Sequence, residues 1–323
     1  MIAPFVVVAS LVSTYSIVAR DPMNGDLGVA VQSHWFSVGA IVPWAEPGVG
    51  AVATQSFVEP AYGPKGLAMM RAGVPPKEAL DHLVGEDLHP EARQVAFVDA
   101  QGRVAVYTGP MCIPAAGHRT GDGYSVQANL MLGDEVPDAM AAAFEKSRGP
   151  LAERMLAALE AAQVAGGDIR GKQSAAILVV RGKPSEKPWT DRLVDLRIED
   201  HADPLAEMRR LLTLHRAYER MNRGDEAVAA GKMDEALKEY SAAQAMVPQN
   251  DEFVFWTAVT LVANGRNDEA MPMFARAFRM NPAWMLLVPR LPDVGQLPKA
   301  EGLVESILRQ GPKVREAARS GAR

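Results

Sequence analysis

Cysteine is nearly missing from this chain. Cys112 is the only one in 323 residues, so no disulfide can close within one chain. A lone cysteine is also more often a small buried hydrophobe than a nucleophile. Positive charge is not in excess: 34 Lys and Arg stand against 39 Asp and Glu, a net charge of −5. With no basic patch interleaved with aromatics, a nucleic-acid surface is excluded. No apolar run reaches the length that crosses a bilayer, so an integral membrane protein is not expected. The six histidines, His34, His82, His89, His118, His201 and His215, show no metal-ligand spacing, and neither a metal nor a cofactor is expected. Gly-x-Ser-x-Gly, Walker and His-Glu-x-x-His signatures are all missing. A dinucleotide-like spacing at Gly48, Gly50 and Ala53 falls inside a strand rather than between a strand and a helix, which disqualifies it.

Charge is also missing from the first nineteen residues. Residues 4–12 read as a short apolar leader ending at the small residue Ser13, or as a retained buried strand. The lone cysteine and the missing basic start favour a cytoplasmic location. A periplasmic or secreted one follows if residues 1–13 act as a signal.

What is present is enough apolar material, 48% of residues, for a core and two domains. β-Branching and alternation predict strands over 14–20 and 27–33 around a turn at 21–26, then strands over 38–42 and 49–55 with a connector at 43–48. Helices are expected over 62–72 and 75–84, and a second hairpin over 95–108. A strand at 124–129 precedes helices at 135–146 and 151–165, a Gly-rich turn at 166–171, and strands at 173–181 and 193–199. A helix over 204–223 closes a layered α+β region. Beyond it, Gly231, Ala236, Tyr240, Ala243 and Pro248 return thirty-four residues later as Gly265, Ala270, Phe274, Ala277 and Pro282. That period resembles the tetratricopeptide repeat, in which small residues let paired helices touch and proline ends the second one. Such helices serve either as a structural cap or as a surface for a protein or peptide partner.

One stretch suggests chemistry. Thr14-Tyr15-Ser16-Ile17-Val18-Ala19-Arg20-Asp21 would, if it became the mature N-terminus, put a hydroxyl and an α-amine on one residue. An α-amine with a reference pKa of about 7.7–8.0 is a base suited to activating that hydroxyl. Asn129 is the candidate donor to a developing oxyanion, with backbone amides near Ser33, His34, Thr54 and Gln55 as second choices; Asn129 reads equally as a turn residue bonding its own backbone. His34 is either an orienting group or a packed histidine. Asp168 and Arg170 pair either to hold a loop beside Thr14 or as an ordinary ion pair. Gln173, with Ser174, stands at a strand start where it would meet ligand polar groups or satisfy backbone.

The same stretch continues through residues 25–34, 42–45, 48–55 and 62–64. Gly117-His118, Tyr124-Ser125-Val126-Gln127-Ala128-Asn129, residues 166–176, Val194-Asp195-Leu196-Arg197 and residues 200–204 follow. Together these motifs resemble an uncharacterised bacterial and archaeal family, domain of unknown function 1028, placed with the N-terminal-nucleophile (Ntn) hydrolases. The resemblance covers about residues 14–212. It implies a four-layer αββα sandwich in which Thr14 is the catalytic nucleophile, ahead of an all-α helical-repeat domain at 213–323. It also implies amide hydrolysis through a threonyl acyl-enzyme. On that reading Asn129, His34 and Asp168 assist Thr14, while Ser33, Thr54, Gln55, Arg170 and Gln173 bind a small-molecule amide. The rival reading is a non-catalytic scaffold that works through its repeats. A homodimer would cover exposed strand edges in either case.

Overall fold

The computed structural model describes residues 11–12 and 14–312. Apart from Leu11 and Val12, the leader reading of residues 1–13 lies outside the described residues. The chain divides into two compact units, residues 1–212 and 213–323.

In the first unit, β1 (Leu11–Val12), β4 (Pro43–Glu46), β5 (Gly50–Phe57), β6 (Arg93–Asp99) and β7 (Val104–Thr108) form one antiparallel sheet. Within it β1 and β4 pair with different stretches of β5. The second sheet runs β11-β10-β3-β2-β9-β8. Its strands are β2 (Thr14–Arg20), β3 (Leu27–Ser33), β8 (Gly117–Gly121), β9 (Tyr124–Asn129), β10 (Ser174–Val180) and β11 (Arg192–Ile198). Period-two alternation sends the two faces of each central strand into different cores. Val18, Val29, Val31, Ala51, Ala53, Ala96, Ala176 and Leu178 fill the space between the sheets. The opposite face of β2, with Tyr15, Ile17 and Ala19, packs under α3 (Val136–Lys146) and α4 (Leu151–Val164). The outer face of the first sheet packs under α1 (Tyr62–Arg71) and α2 (Pro76–Glu86). Gly66 permits that contact, because a Cβ there would stand 2.5 Å from Phe97 Cζ. Helix, sheet, sheet and helix stack as four layers, the α+β arrangement expected.

Three local expectations need correction. Residues 38–42 are not a strand; Val38–Ala40 is a single 3-10 turn, and the strand starts at Pro43. Ser37 sits in the left-handed region at φ 56°, and Ser174 Oγ accepts the Val38 N–H at 3.1 Å. A side chain thus takes the donor that a strand neighbour would have used. Proline is tolerated at the first position of β4. The edge strand β8 has no apolar alternation and went unread. The helix expected to end at 223 continues as α5 (Pro204–Ala229).

The second unit is helical: the rest of α5, then α6 (Met233–Met246), α7 (Asp251–Ala263), α8 (Asn267–Met280), α9 (Trp284–Leu287) and α10 (Leu303–Leu308). The repeated small and aromatic positions, Ala236, Tyr240 and Ala243 on α6 and Ala270, Phe274 and Ala277 on α8, are all buried. Gly231 and Gly265 turn the chain between helices with φ near 74° and 75°, a conformation glycine adopts without penalty. Among the described residues no helix is long and apolar enough to cross a membrane.

Candidate functional site

Strand register assembles the site. Thr14 opens β2 between Asn129, the last residue of β9, and Ser33, the last residue of β3. Ser33 in turn faces Ser174, the first residue of β10. Four strand ends therefore place four polar side chains in one row, and all four are fully buried. Thr14 Oγ1 donates to Ser33 Oγ at 3.1 Å.

The row faces a second polar layer on the opposing sheet. Gln55 Nε2 donates to Gln94 Oε1 (2.7 Å) and to the carbonyl of Thr14 (3.2 Å). Asn129 Nδ2 donates to the same Gln94 oxygen at 3.0 Å. One row inward, Ser16 Oγ donates to Gln55 Oε1 and accepts from Gln127 Nε2, both at 2.6 Å. Gln94 Nε2 reaches the carbonyl of Ala128 (2.9 Å) and Thr108 Oγ1 (3.0 Å). A buried amide that loses its partner costs about 1–3 kcal/mol, so a connected set like this one fixes the orientation of each member.

The network ends at a histidine. Thr108 Oγ1 lies 2.9 Å from His118 Nδ1. The hydroxyl accepts from Gln94 Nε2, and in the Nε2–H tautomer of His118 it can donate its own proton to Nδ1. Burial, then the Arg119 charge, holds the His118 pKa below the ordinary imidazole value. The ring is neutral at pH 7.

A second cluster joins through His34, next in sequence to Ser33. The Asp168 carboxylate, whose side chain is fully buried, accepts four N–H groups. They are His34 N at 3.1 Å, Arg170 N at 2.9 Å, Arg170 Nε at 3.1 Å and Arg170 Nη2 at 2.9 Å. Asp168 thereby clamps the arginine and pins the end of β3. The Tyr15 hydroxyl is pushed well above its usual pKa by burial first, then by Asp168 and Asp203, and stays protonated.

The backbone turns sharply beside the site. Leu130 follows Asn129 at φ 56° and Ser56 follows Gln55 at φ 70°, left-handed positions that cost a non-glycine residue about 1 kcal/mol or more. Both lie directly after side chains of the network.

Of the residues singled out in the sequence, Thr14, Ser33, Gln55 and Asn129 meet in the first cluster, and His34, Asp168 and Arg170 in the second. Thr54 lies on the other face of β5, where its hydroxyl donates to the carbonyl of Glu59 at 3.1 Å. Gln173 reaches the Ser33 carbonyl through its backbone N–H (3.1 Å), while its side chain donates to Asp200 (3.1 Å). Cys112 is buried with its thiol pushed up by burial, and Sγ donates to the carbonyl of Arg93 at 3.3 Å. Ser16, Gln94, Gln127 and Thr108 were missed. The available signal was a glutamine at the inward phase of an apolar strand, at 94 and again at 127.

The DUF1028 family profile matches residues 14–208, and a tetratricopeptide repeat profile matches residues 227–286. The crystal structure of a DUF1028 protein from Silicibacter pomeroyi is similar, with 32% sequence identity and a TM-score of 0.56. The match spans 63% of this chain and 88% of that one. No curated protein matches. The chain therefore belongs to DUF1028, a family of unknown function, with tetratricopeptide repeats following the family domain.

Proposed function

We propose that the first unit is an N-terminal-nucleophile amidohydrolase whose nucleophile is Thr14, exposed as the mature N-terminus when residues 1–13 are removed. The observation that carries this is the row Asn129–Thr14–Ser33 at one end of a buried two-sheet interior. A hydroxyl there has polar neighbours on both sides in a space that otherwise excludes water.

The residues divide the work as follows. Thr14 Oγ attacks the amide carbonyl, and the Thr14 α-amine takes the hydroxyl proton and passes it to the departing amine. The C–N bond breaks and a threonyl ester remains. Water adds to that ester, regenerates the hydroxyl and releases the acid. Asn129 Nδ2, oriented by Gln94, donates to the oxyanion in both halves of the reaction. Asp168 is a positioning residue: its four N–H donors neutralise much of its charge, so it raises the pKa of a nearby amine less than a bare carboxylate would. The second unit supplies a surface for a protein or peptide partner, as tetratricopeptide repeats do elsewhere.

Intact-mass measurement of the protein purified from its native host tests the reading. The expected mass is that of residues 14–323. A turnover-competent preparation that keeps residues 1–13 contradicts it.

A further inference from the structure

The strand that precedes Thr14 does not share its sheet. Leu11–Val12 (β1) pairs antiparallel with β5 in the first sheet, Leu11 facing Phe57 and Val12 facing Ser56. Thr14 opens β2 in the second sheet and has no solvent access. The chain just before the proposed nucleophile therefore fills a place on β5, and Ser13 alone links that place to Thr14. Two residue steps span at most about 7 Å. Connectivity thus puts the place of Val12 within reach of the Thr14 side chain.

The rest of that edge of β5 is taken. β6 pairs along Gly50 to Ser56 on one side, so β1 and β4 share the other. There β4 covers Gly50 to Ala53, and the Thr54 N–H donates to the carbonyl of Val42 at 3.2 Å. Loss of residues 1–13 bares the edge at Ser56 and Phe57. That end of β5 is held without β1. Arg93 Nη1 donates to the Phe57 carbonyl at 2.6 Å, and Asp87 fixes the guanidinium by accepting from Nε at 2.8 Å and Nη2 at 3.1 Å. An unpaired strand edge kept in position is a template for another extended chain.

Building on the proposed amide hydrolysis at Thr14, we infer that the substrate is a peptidyl amide whose acyl half lies extended on β5, in the place that Leu11 and Val12 vacate. Its scissile carbonyl belongs to the residue that replaces Ser13, and the two residues before it pair with Ser56 and Phe57. An antiparallel ladder alternates pairs that exchange both N–H···O bonds with pairs that exchange none. Recognition therefore runs through the amide of one of those two residues. An alkyl acyl chain has no amide to offer and would leave the β5 backbone groups unpaired. Attack by Thr14 Oγ forms a peptidyl ester and releases the amine half. One water then cleaves the ester to a peptide acid.

Kinetics with the aminomethylcoumarin amide of acetyl-Leu-Val-Ser tests this on the chain freed of residues 1–13, taken from its host or expressed from a start codon before Thr14. The comparison compounds are the same amide of acetyl-Ser and two tripeptide amides, N-methylated at Leu or at Val. The tripeptide amide is expected to exceed the acetyl-Ser amide in kcat/KM by at least about tenfold, the scale of one or two backbone hydrogen bonds. One N-methylated compound should lose at least that much and the other distinctly less, as the alternation requires. Calorimetric titration with the product acid acetyl-Leu-Val-Ser reads the same place without chemistry. The freed chain should bind it, and the chain that keeps residues 1–13 should not. Equal rates for the tripeptide and acetyl-Ser amides overturn the inference and leave hydrolysis at Thr14 standing. Equal effects of the two methylations, equal binding by both forms of the chain, or no binding by either, overturn it as well. Binding of the product acid by the freed chain alone, with no coumarin released from any compound, would instead contradict the Thr14 mechanism and leave the subsite standing.

Discussion

Thr14→Ala is expected to remove amide turnover, by about 10⁴-fold or more on the scale seen when a hydrolytic nucleophile is deleted. The fold should survive. In the structure the Thr14 hydroxyl donates one hydrogen bond, to Ser33 Oγ, and losing such a bond costs about 1 kcal/mol. Register with β3 and β9 comes from the backbone, which the substitution leaves intact. Thr14→Ser keeps both the hydroxyl and the α-amine and should keep measurable turnover. In the wild type, turnover should rise with pH as the α-amine loses its proton, around or below its reference pKa of about 8. Steady-state kinetics on any amide that the wild type cleaves, with circular dichroism as the folding control, reads all of these. Wild-type turnover by a folded Thr14→Ala protein would rule the nucleophile out.

Asn129→Ala carries the second largest effect. Removing one oxyanion donor from an acyl-transfer site typically costs about 10²–10³ in kcat, with KM nearly unchanged because the interaction strengthens only in the transition state. The substitution also removes one of the two amide donors on Gln94 Oε1 and leaves the other, Gln55. A modest loss of stability should accompany the kinetic loss. Gln94→Glu separates the two roles, since it keeps the acceptor for Asn129 and removes the N–H groups that reach Ala128 O and Thr108. A raised KM with unchanged kcat in Asn129→Ala would make Asn129 a ground-state contact instead.

The strands around the site were readable because their chemistry is one-sided. β2, β3, β5 and β10 are rich in Val, Ile and Ala, bounded by turn residues, and buried almost throughout. Residues 38–42 read as a strand for the same reason, and the reading failed because Ser174, distant in sequence, captures the Val38 N–H. Neighbouring Thr54 and Gln55 both read as ligand contacts in the sequence, yet a strand turns adjacent side chains to opposite faces, and only Gln55 bonds to the Thr14 carbonyl. Gln94 and Gln127 stayed hidden because a polar side chain at the inward phase of a strand has no evident partner until the facing sheet supplies one. The Asp168–Arg170 pair was legible from its Gly-rich turn, but its tie to the His34 N–H spans 134 positions of sequence. The thirty-four-residue period survived intact, since each repeat packs mainly against its neighbours.

Hydrolysis at Thr14 passes through a covalent bond between substrate and an N-terminal threonine. The most direct measurement is peptide mapping by mass spectrometry of protein acid-quenched during turnover of any amide it cleaves. The expected result is an N-terminal peptide that begins at Thr14 and carries the mass of the acyl group, absent from the Thr14→Ala protein. An acyl group on another residue, or on a peptide whose Thr14 is still preceded by Ser13, would contradict it.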